Sequence, residues 1–372
     1  MITANKGEWS ELYALFKLLC DGELSAGDEN LNKINNLIYP VIRILRQEHH
    51  HLFTYLPHKS EGIVEILRGE DVFQIPLQEL RDITQFLLAE LQKKQTASFT
   101  IPDVENFISR YQSNKIKAKS SAKSDIRIVI YDAKIGTMPE LGFSIKSKLG
   151  KPSTLLNAGK TTNFIFEIKN ICLTEKEIED FNQLALPQPI IKSRIAHLKM
   201  LGADIKFSHL NNAVFENNLI LLDSLLPKIM AEAIFKYYTS TLNSVKDIFN
   251  EISYENPMKY SFEHQHPFYQ FKIKKLLCEI AIGMMPGTVW TGNEIDSTGG
   301  YLVIKEDGEI ICYHLYHRHE FEEYLYNNTK FEMASKTKHD FGQLFLKDEP
   351  YRVCRRPLFL RECPDEKSKI HP

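Results

Sequence analysis

Asp125 opens one short apolar run, and the triplet Ser144-Ile145-Lys146 sits inside another. The two runs, Ser124–Tyr131 and Gly142–Ser147, alternate and flank a turn, so they read as a β-hairpin. Near the amino end, Glu8 and Glu11 fall in the first turns of an amphipathic segment. Two carboxylates can share a hard cation such as Mg²⁺, and an ammonium beside them can orient or activate a water. Together these groups are the parts needed to hydrolyse a phosphodiester. The residues therefore point to a metal-dependent DNA nuclease.

Two aspartates compete for the metal. With strands at 126–131 and 141–147, antiparallel pairing sets Asp125 opposite Lys146 or Ser147, and Asp132 opposite Glu140. Ser144 and Lys146 share a face because side chains alternate along a strand. Asp125 is thus the expected ligand, and Asp132 belongs to the turn. The plainer readings are a polar residue starting a strand for Asp125, and a stem snorkelling from a half-exposed strand for Lys146. A lysine between apolar strand residues is nonetheless uncommon unless it is paired or working.

On a helical wheel Glu8 falls in line with Leu12 and Leu15, and Glu11 lies at the edge of that stripe. An acid over a buried stripe needs a partner. Acids in a first turn also suit the helix dipole with no further role. Both glutamates remain candidates.

The elements that must position these groups follow from periodicity. Leu12, Leu15, Phe16 and Leu19 mark a helix from Glu8 to Leu19 that stops near Asp21-Gly22. Val41–Arg46 reads as a strand, and Ile63–Leu67 with Val72–Ile75 as a hairpin. Leu77–Lys93 and Pro102–Tyr111 read as helices. Residues 114–123 and 148–162 read as loops, with a strand at Asn163–Ile168 between the second loop and a mainly helical stretch from 174 to about 250. A helix at Phe268–Met284, a hairpin of Tyr301–Lys305 and Glu309–Tyr313 turned at Asp307-Gly308, and a helix from His319 complete the pattern. The expected division is a nuclease core over 1–170 with an inserted segment at about 22–114. A helical region over 171–255 and a C-terminal α/β region over 256–372 follow.

The chain has 372 residues, 43% apolar and 25% charged, the balance of a soluble globular protein. Net charge is −2, but residues 113–160 hold ten basic residues against three acids, a local +7 that leaves −9 elsewhere. Such a basic zone suits phosphate contact, although lysine runs are commonly solvated surface. No apolar run reaches membrane length and Met1–Lys6 carry no signal core, so a cytoplasmic protein with no membrane partner is expected. The six cysteines lack any CxxC pair and read as reduced thiols. Neither GxxxxGK[ST] nor GxGxxG occurs, so no nucleotide cofactor is expected. Glu48 and His49-His50-His51 look like a solvent loop rather than a metal site.

With those residues laid out, the chain resembles the PD-(D/E)XK nuclease superfamily and, more closely, the HpaII family of type II restriction endonucleases. The resemblance rests on Asn5-Lys6-Gly7-Glu8-Trp9-Ser10-Glu11, on Gly142–Gly150 around Ser144-x-Lys146, and on Ser153–Ala158. Gly299-Gly300-Tyr301 and Asn328–Glu332 add to it. It implies a mixed α/β core, a central mixed sheet flanked by helices. The implied activity is Mg²⁺-dependent cleavage of duplex DNA at CCGG, by a homodimer suited to a palindrome. Carried over by position, Asp125 would bind metal, Lys146 would act on the water, and Glu8 or Glu11 would complete the site. Ser144 departs from the pattern, because a carboxylate is usual there and a hydroxyl is a weak ligand for Mg²⁺. Glu140 or Glu167 could compensate, and Glu167-Ile168-Lys169 offers a second acid-x-lysine register. Cys354–Pro357 also departs from it. The competing readings are a structure-specific repair nuclease and a DNA-binding protein with a decayed core.

Base or phosphate contacts are expected from Lys148, Thr154, Asn157, Lys160 and Asn163, with Arg318, Lys330, Lys336 and Lys338 as a distal set.

Overall fold

The computed structural model describes residues 2–48, 51–94, 96, 98–111, 124–133, 136–150, 154–156, 159–292, 298–332, 341–346, 358–362 and 365–367. The chain opens with β1 (Ala4–Asn5), α1 (Lys6–Asp21), β2 (Glu23–Gly27), β3 (Lys33–Glu48) and β4 (His51–His58). It continues through β5 (Ile63–Arg68), β6 (Asp71–Pro76), α2 (Leu77–Lys93), β7 (Ser98–Phe99), α3 (Pro102–Arg110), β8 (Ile126–Ile130) and β9 (Glu140–Ser147). Next come β10 (Thr154–Leu156), β11 (Phe164–Lys169), α4 (Glu175–Gln183), α5 (Ile190–Met200) and β12 (Asp204–Leu210). Helices α6 (Ala213–Leu222), α7 (Leu226–Thr239), α8 (Val245–Glu255) and α9 (Phe268–Ile282) follow. The last elements are β13 (Gly300–Ile304), β14 (Ile310–His314), α10 (Arg318–Asn328), β15 (Lys330–Glu332), β16 (Leu344–Leu346), β17 (Leu358–Glu362) and β18 (Asp365–Lys367).

By contact the chain forms two compact units, 1–153 with 294–324, and 154–293 with 325–372. The first is built on a nine-stranded mixed sheet in the order β2-β14-β13-β9-β8-β3-β4-β5-β6. Strands β13 and β9 run parallel, as do β14 and β2, and the other neighbours are antiparallel. The expected strand at Val41–Arg46 is the middle of the longer β3. Its first half pairs with β2 and its second with β8 and β4. His51 starts β4 as an exposed strand residue, and His49 and His50 lie outside the described residues.

Helix α1 is held at both ends by local chemistry. The Asn5 side chain accepts the Glu8 N–H at 3.0 Å, and the Glu8 carboxylate accepts the Asn5 N–H at 2.9 Å, a reciprocal capping box. Gly22 ends the helix at φ 62°, donating to the Leu18 carbonyl at 2.8 Å, the left-handed turn that glycine adopts without strain. The stripe Leu12, Leu15, Phe16 and Leu19 is buried as the pattern requires, in one core with Phe143, Ile128 and Leu302 of the sheet and Leu80 and Leu87 of α2. Trp9 is fully buried and donates its indole N–H to the Phe99 carbonyl at 3.1 Å, which ties α1 to β7.

The second unit pairs β12-β11-β17-β16 and β10-β18-β15, with helices α4–α9. The stretch expected to be mainly helical carries β12 among its helices, paired antiparallel with β11. Among the described residues no helix is long and apolar enough to cross a membrane.

Candidate active site

Strands β8 and β9 form the expected hairpin in a different register. Ile126 pairs with Phe143, Arg127 with Gly142 and Val129 with Glu140, a shift of three residues from the expected pairing. The turn is responsible. Asp132 bridges to Thr137 rather than to Glu140, donating its N–H to the Thr137 carbonyl at 2.9 Å, while Ile130 donates to the Pro139 carbonyl. Asp125 therefore stands beside residues 143–145. Its N–H donates to the Phe143 carbonyl at 2.9 Å, and its Oδ2 accepts the Ile145 N–H at 2.7 Å. That second bond fixes the orientation of the carboxylate against the strand that carries Lys146.

Lys146 is half-buried. Burial pushes its ammonium pKa down, while the Asp125 carboxylate and then the Glu11 carboxylate hold it up. The structure thus brings Asp125 and Glu11 each within electrostatic reach of Lys146. Helix α1 is fastened here by Ser10, whose hydroxyl bonds the Ser147 hydroxyl at 2.9 Å, and by the Lys6 ammonium, which donates to the Leu149 carbonyl at 2.7 Å. The two helix glutamates are no longer equivalent. Glu8 is occupied in the capping box, whereas Glu11, next to Ser10, acts on Lys146.

Ser144 is buried and shares its face of β9 with Lys146. Its neighbour on β13 is Tyr301, and Lys146 Nζ lies 4.9 Å from the centroid of the Tyr301 ring. The sequence reading named this tyrosine only within the string Gly299-Gly300-Tyr301 and gave it no role. Its signal was the glycine pair before it. A Cβ on Gly299 would lie 2.6 Å from the Phe143 ring, and one on Gly300, at φ 102°, would lie 2.0 Å from the Tyr313 carbonyl oxygen. Only glycines let β13 enter between β9 and β14 at that point.

The acids proposed to compensate for Ser144 are engaged elsewhere. Glu140 pairs with Arg127 at 2.8 Å, and Glu167 pairs with Lys169 at 3.1 Å on a part-exposed stretch of β11. Asp132 is buried in its turn. Among the described residues no three His, Cys, Asp or Glu side chains gather as a metal site. A cation at this place would find its donors in the Asp125 and Glu11 carboxylates. That set fits Mg²⁺, which is bound through one or two carboxylates while keeping waters and substrate phosphates.

The expected DNA contacts divide. Lys148 is half-buried, its pKa lowered by burial against the pull of Glu306. Lys160 is exposed, and its carbonyl accepts from the Asn211 side chain at 3.3 Å. Asn163 is 1% exposed and its carbonyl accepts the Asn211 N–H at 2.8 Å, so it belongs to the interior rather than to a DNA-facing surface. Thr154 starts β10, and Asn157, Lys336 and Lys338 lie outside the described residues. Arg318 pairs with Glu322 at 2.7 Å, and Lys330 is half-buried on β15.

A mixed sheet with a lysine on a central strand, an aspartate fixed on its neighbour and a helix carboxylate reaching the same ammonium is the layout of an α/β nuclease core. The model of the HpaII restriction endonuclease family matches residues 5–351. The chain is also 43% identical, over 92% of its length and 94% of the relative's, to the type II restriction enzyme HpaII of Haemophilus parainfluenzae. No solved structure matches it. The chain belongs to the HpaII restriction endonuclease family, and its activity is that of a type II site-specific deoxyribonuclease.

Proposed function

We propose that this endonuclease uses Mg²⁺ to hydrolyse both strands of duplex DNA at the palindrome CCGG, acting as a cytoplasmic homodimer without a nucleotide cofactor. The observation that carries the reading is the Asp125 carboxylate, held by the Ile145 N–H at 2.7 Å beside the strand that bears Lys146, with Glu11 on α1 bearing on the same ammonium. Asp125 and Glu11 would hold the cation, which would supply electrophilic polarisation of the scissile phosphate when bound. Asp125 is kept in position by the Ile145 N–H, so no reorganisation of that ligand is needed as the substrate enters.

Lys146 offsets the negative charge that grows on the phosphate and orients the attacking water. In-line attack then leaves a 5′-phosphate and a 3′-hydroxyl. Ser144, neutral and buried beside Lys146, contributes a hydroxyl where a third carboxylate would add repulsion. Lys148, Thr154, Asn157 and Lys160 contact the DNA, and two copies related by a two-fold axis cut the two antiparallel strands.

A digest of defined plasmid with Mg²⁺ and no nucleotide, followed by sequencing of the ends, tests the reading. Discrete fragments ending within CCGG support it. Nicking confined to mismatched or branched DNA, or a gel shift with no cleavage in any divalent metal, would refute it.

A further inference from the structure

We propose that Tyr301 is the positioning residue for Lys146, its ring face holding the ammonium where the phosphate arrives. The proposal rests on Lys146 being the lysine that acts in cleavage. Lys146 has a flexible four-carbon stem, and β9 fixes only where that stem begins. The ring does the rest, with Nζ 4.9 Å from its centroid, inside the range where a cation is drawn to the negative face of an aromatic.

The ring is itself immobilised. Tyr301 is buried and lies across from Ser144 in parallel register. It packs edge-to-face on Phe321, with centroids 5.0 Å apart. Gly299 and Gly300 set the start of its strand against Phe143 and Tyr313, so β13 has no room to slide. Two kinds of group therefore face the lysine, the carboxylates and the ring, and on the proposed function the carboxylates would also hold the cation. The ring is fixed by its own packing, so Tyr301 keeps the Lys146 ammonium placed.

Fluorination tests this without changing ring volume, which avoids a variant that fails to fold. Tyr301→Phe serves as the reference, and phenylalanines with one, two and three ring fluorines follow at the same position. The Lys146 ¹³Cε resonance, identified by its loss in Lys146→Ala, is titrated in each. Single-turnover cleavage is measured beside it at fixed Mg²⁺ and saturating DNA. The expected result is a Lys146 ¹³Cε titration that moves stepwise to lower pH with fluorine content, together with a stepwise fall in cleavage rate and unchanged DNA affinity. A pKa and a rate that ignore fluorine content overturn the proposal. So does a Tyr301→Phe enzyme that is already as slow as Lys146→Ala, since the hydroxyl would then carry the role. If Lys146→Ala itself cuts normally, the reading of Lys146 falls, and that outcome is separate from any fluorine trend.

Discussion

Replacing the two helix glutamates one at a time by glutamine separates a structural acid from a working one. Glu8 gives its carboxylate to the Asn5 N–H at 2.9 Å while its own N–H is capped by Asn5 at 3.0 Å. Glutamine keeps an acceptor oxygen at that position, and a capping box tolerates either residue. Glu8→Gln should therefore retain cleavage and lose only the dipole interaction, about 0.5 kcal/mol. Glu8→Ala should lose its half of the capping box as well, the bond to the Asn5 N–H, about 1 kcal/mol in all, still with cleavage intact. Glu11→Gln removes one of the two carboxylates that act on Lys146. Loss of a partner that merely orients a metal ligand costs about 10–100-fold in affinity, and loss of a ligand itself should cost at least the upper figure. Single-turnover cleavage with enzyme in excess, run over a range of Mg²⁺ concentrations, reads both effects. Glu11→Gln should be at least about 100-fold slow at low Mg²⁺ and recover in part as Mg²⁺ rises, with DNA binding unweakened. Equal losses in Glu8→Gln and Glu11→Gln, or a loss in Glu8→Gln alone, would refute the assignment.

Three further outcomes are expected. Lys146→Ala should abolish cleavage in a plasmid digest and keep site-specific binding in a gel shift, because the lysine works on the reaction rather than on docking. Gly300→Ala should destabilise the protein by about 3 kcal/mol or more in urea unfolding, since its Cβ meets a backbone carbonyl at 2.0 Å with φ at 102°. His314 is held down to about 4 by burial and by His317, against the pull of Asp132. The unfolded chain takes up that proton near the ordinary histidine value, so the stability is complete above pH 6.5 and drains away as pH falls towards 4. The loss is roughly 3 kcal/mol. Urea midpoints at pH 7 and pH 4.5 should show it, and His314→Phe should flatten the difference.

The parts of this fold that are legible in the sequence are those specified locally. Asn5-x-x-Glu8 and Gly22 bound α1 because each supplies its own hydrogen bonds. The hairpin β13–β14 follows from its alternation and from Gly308 at φ 85° in the turn. The β8–β9 pair was legible as two strands but not in register, because the pairing is set by the Asp132–Thr137 bridge inside the connection, which alternation does not report. Strand β3 extends on both sides of the expected Val41–Arg46, and it accommodates Pro40 where it passes from pairing with β2 to pairing with β8. Strand β12 did leave a trace, with Ile205 and Phe207 alternating against Lys206 and Ser208, but it was submerged in helical neighbours. The parallel docking of β13 on β9 joins residues far apart in the chain, and no local pattern encodes it. Tyr301, named only within the resemblance, was given no role for that reason. Asn163 was taken for a loop contact beside the chemistry, whereas it is 1% exposed and its carbonyl accepts the Asn211 N–H.

Ser144 then becomes intelligible as part of an electrostatic balance. The site holds two carboxylates and one half-buried ammonium, and burial already disfavours the charged lysine. A third carboxylate at position 144, buried beside Lys146, would hold the ammonium more firmly. It would also place three like charges together whenever the cation is absent. A hydroxyl avoids that repulsion, and on the proposed reading it would leave more of a bound cation's coordination to water and to phosphate. Lys146 then lies between two acids and a ring. The neutral residue on β9 and the aromatic residue across from it on β13 are two halves of one arrangement, adjacent in register and linked through the same lysine.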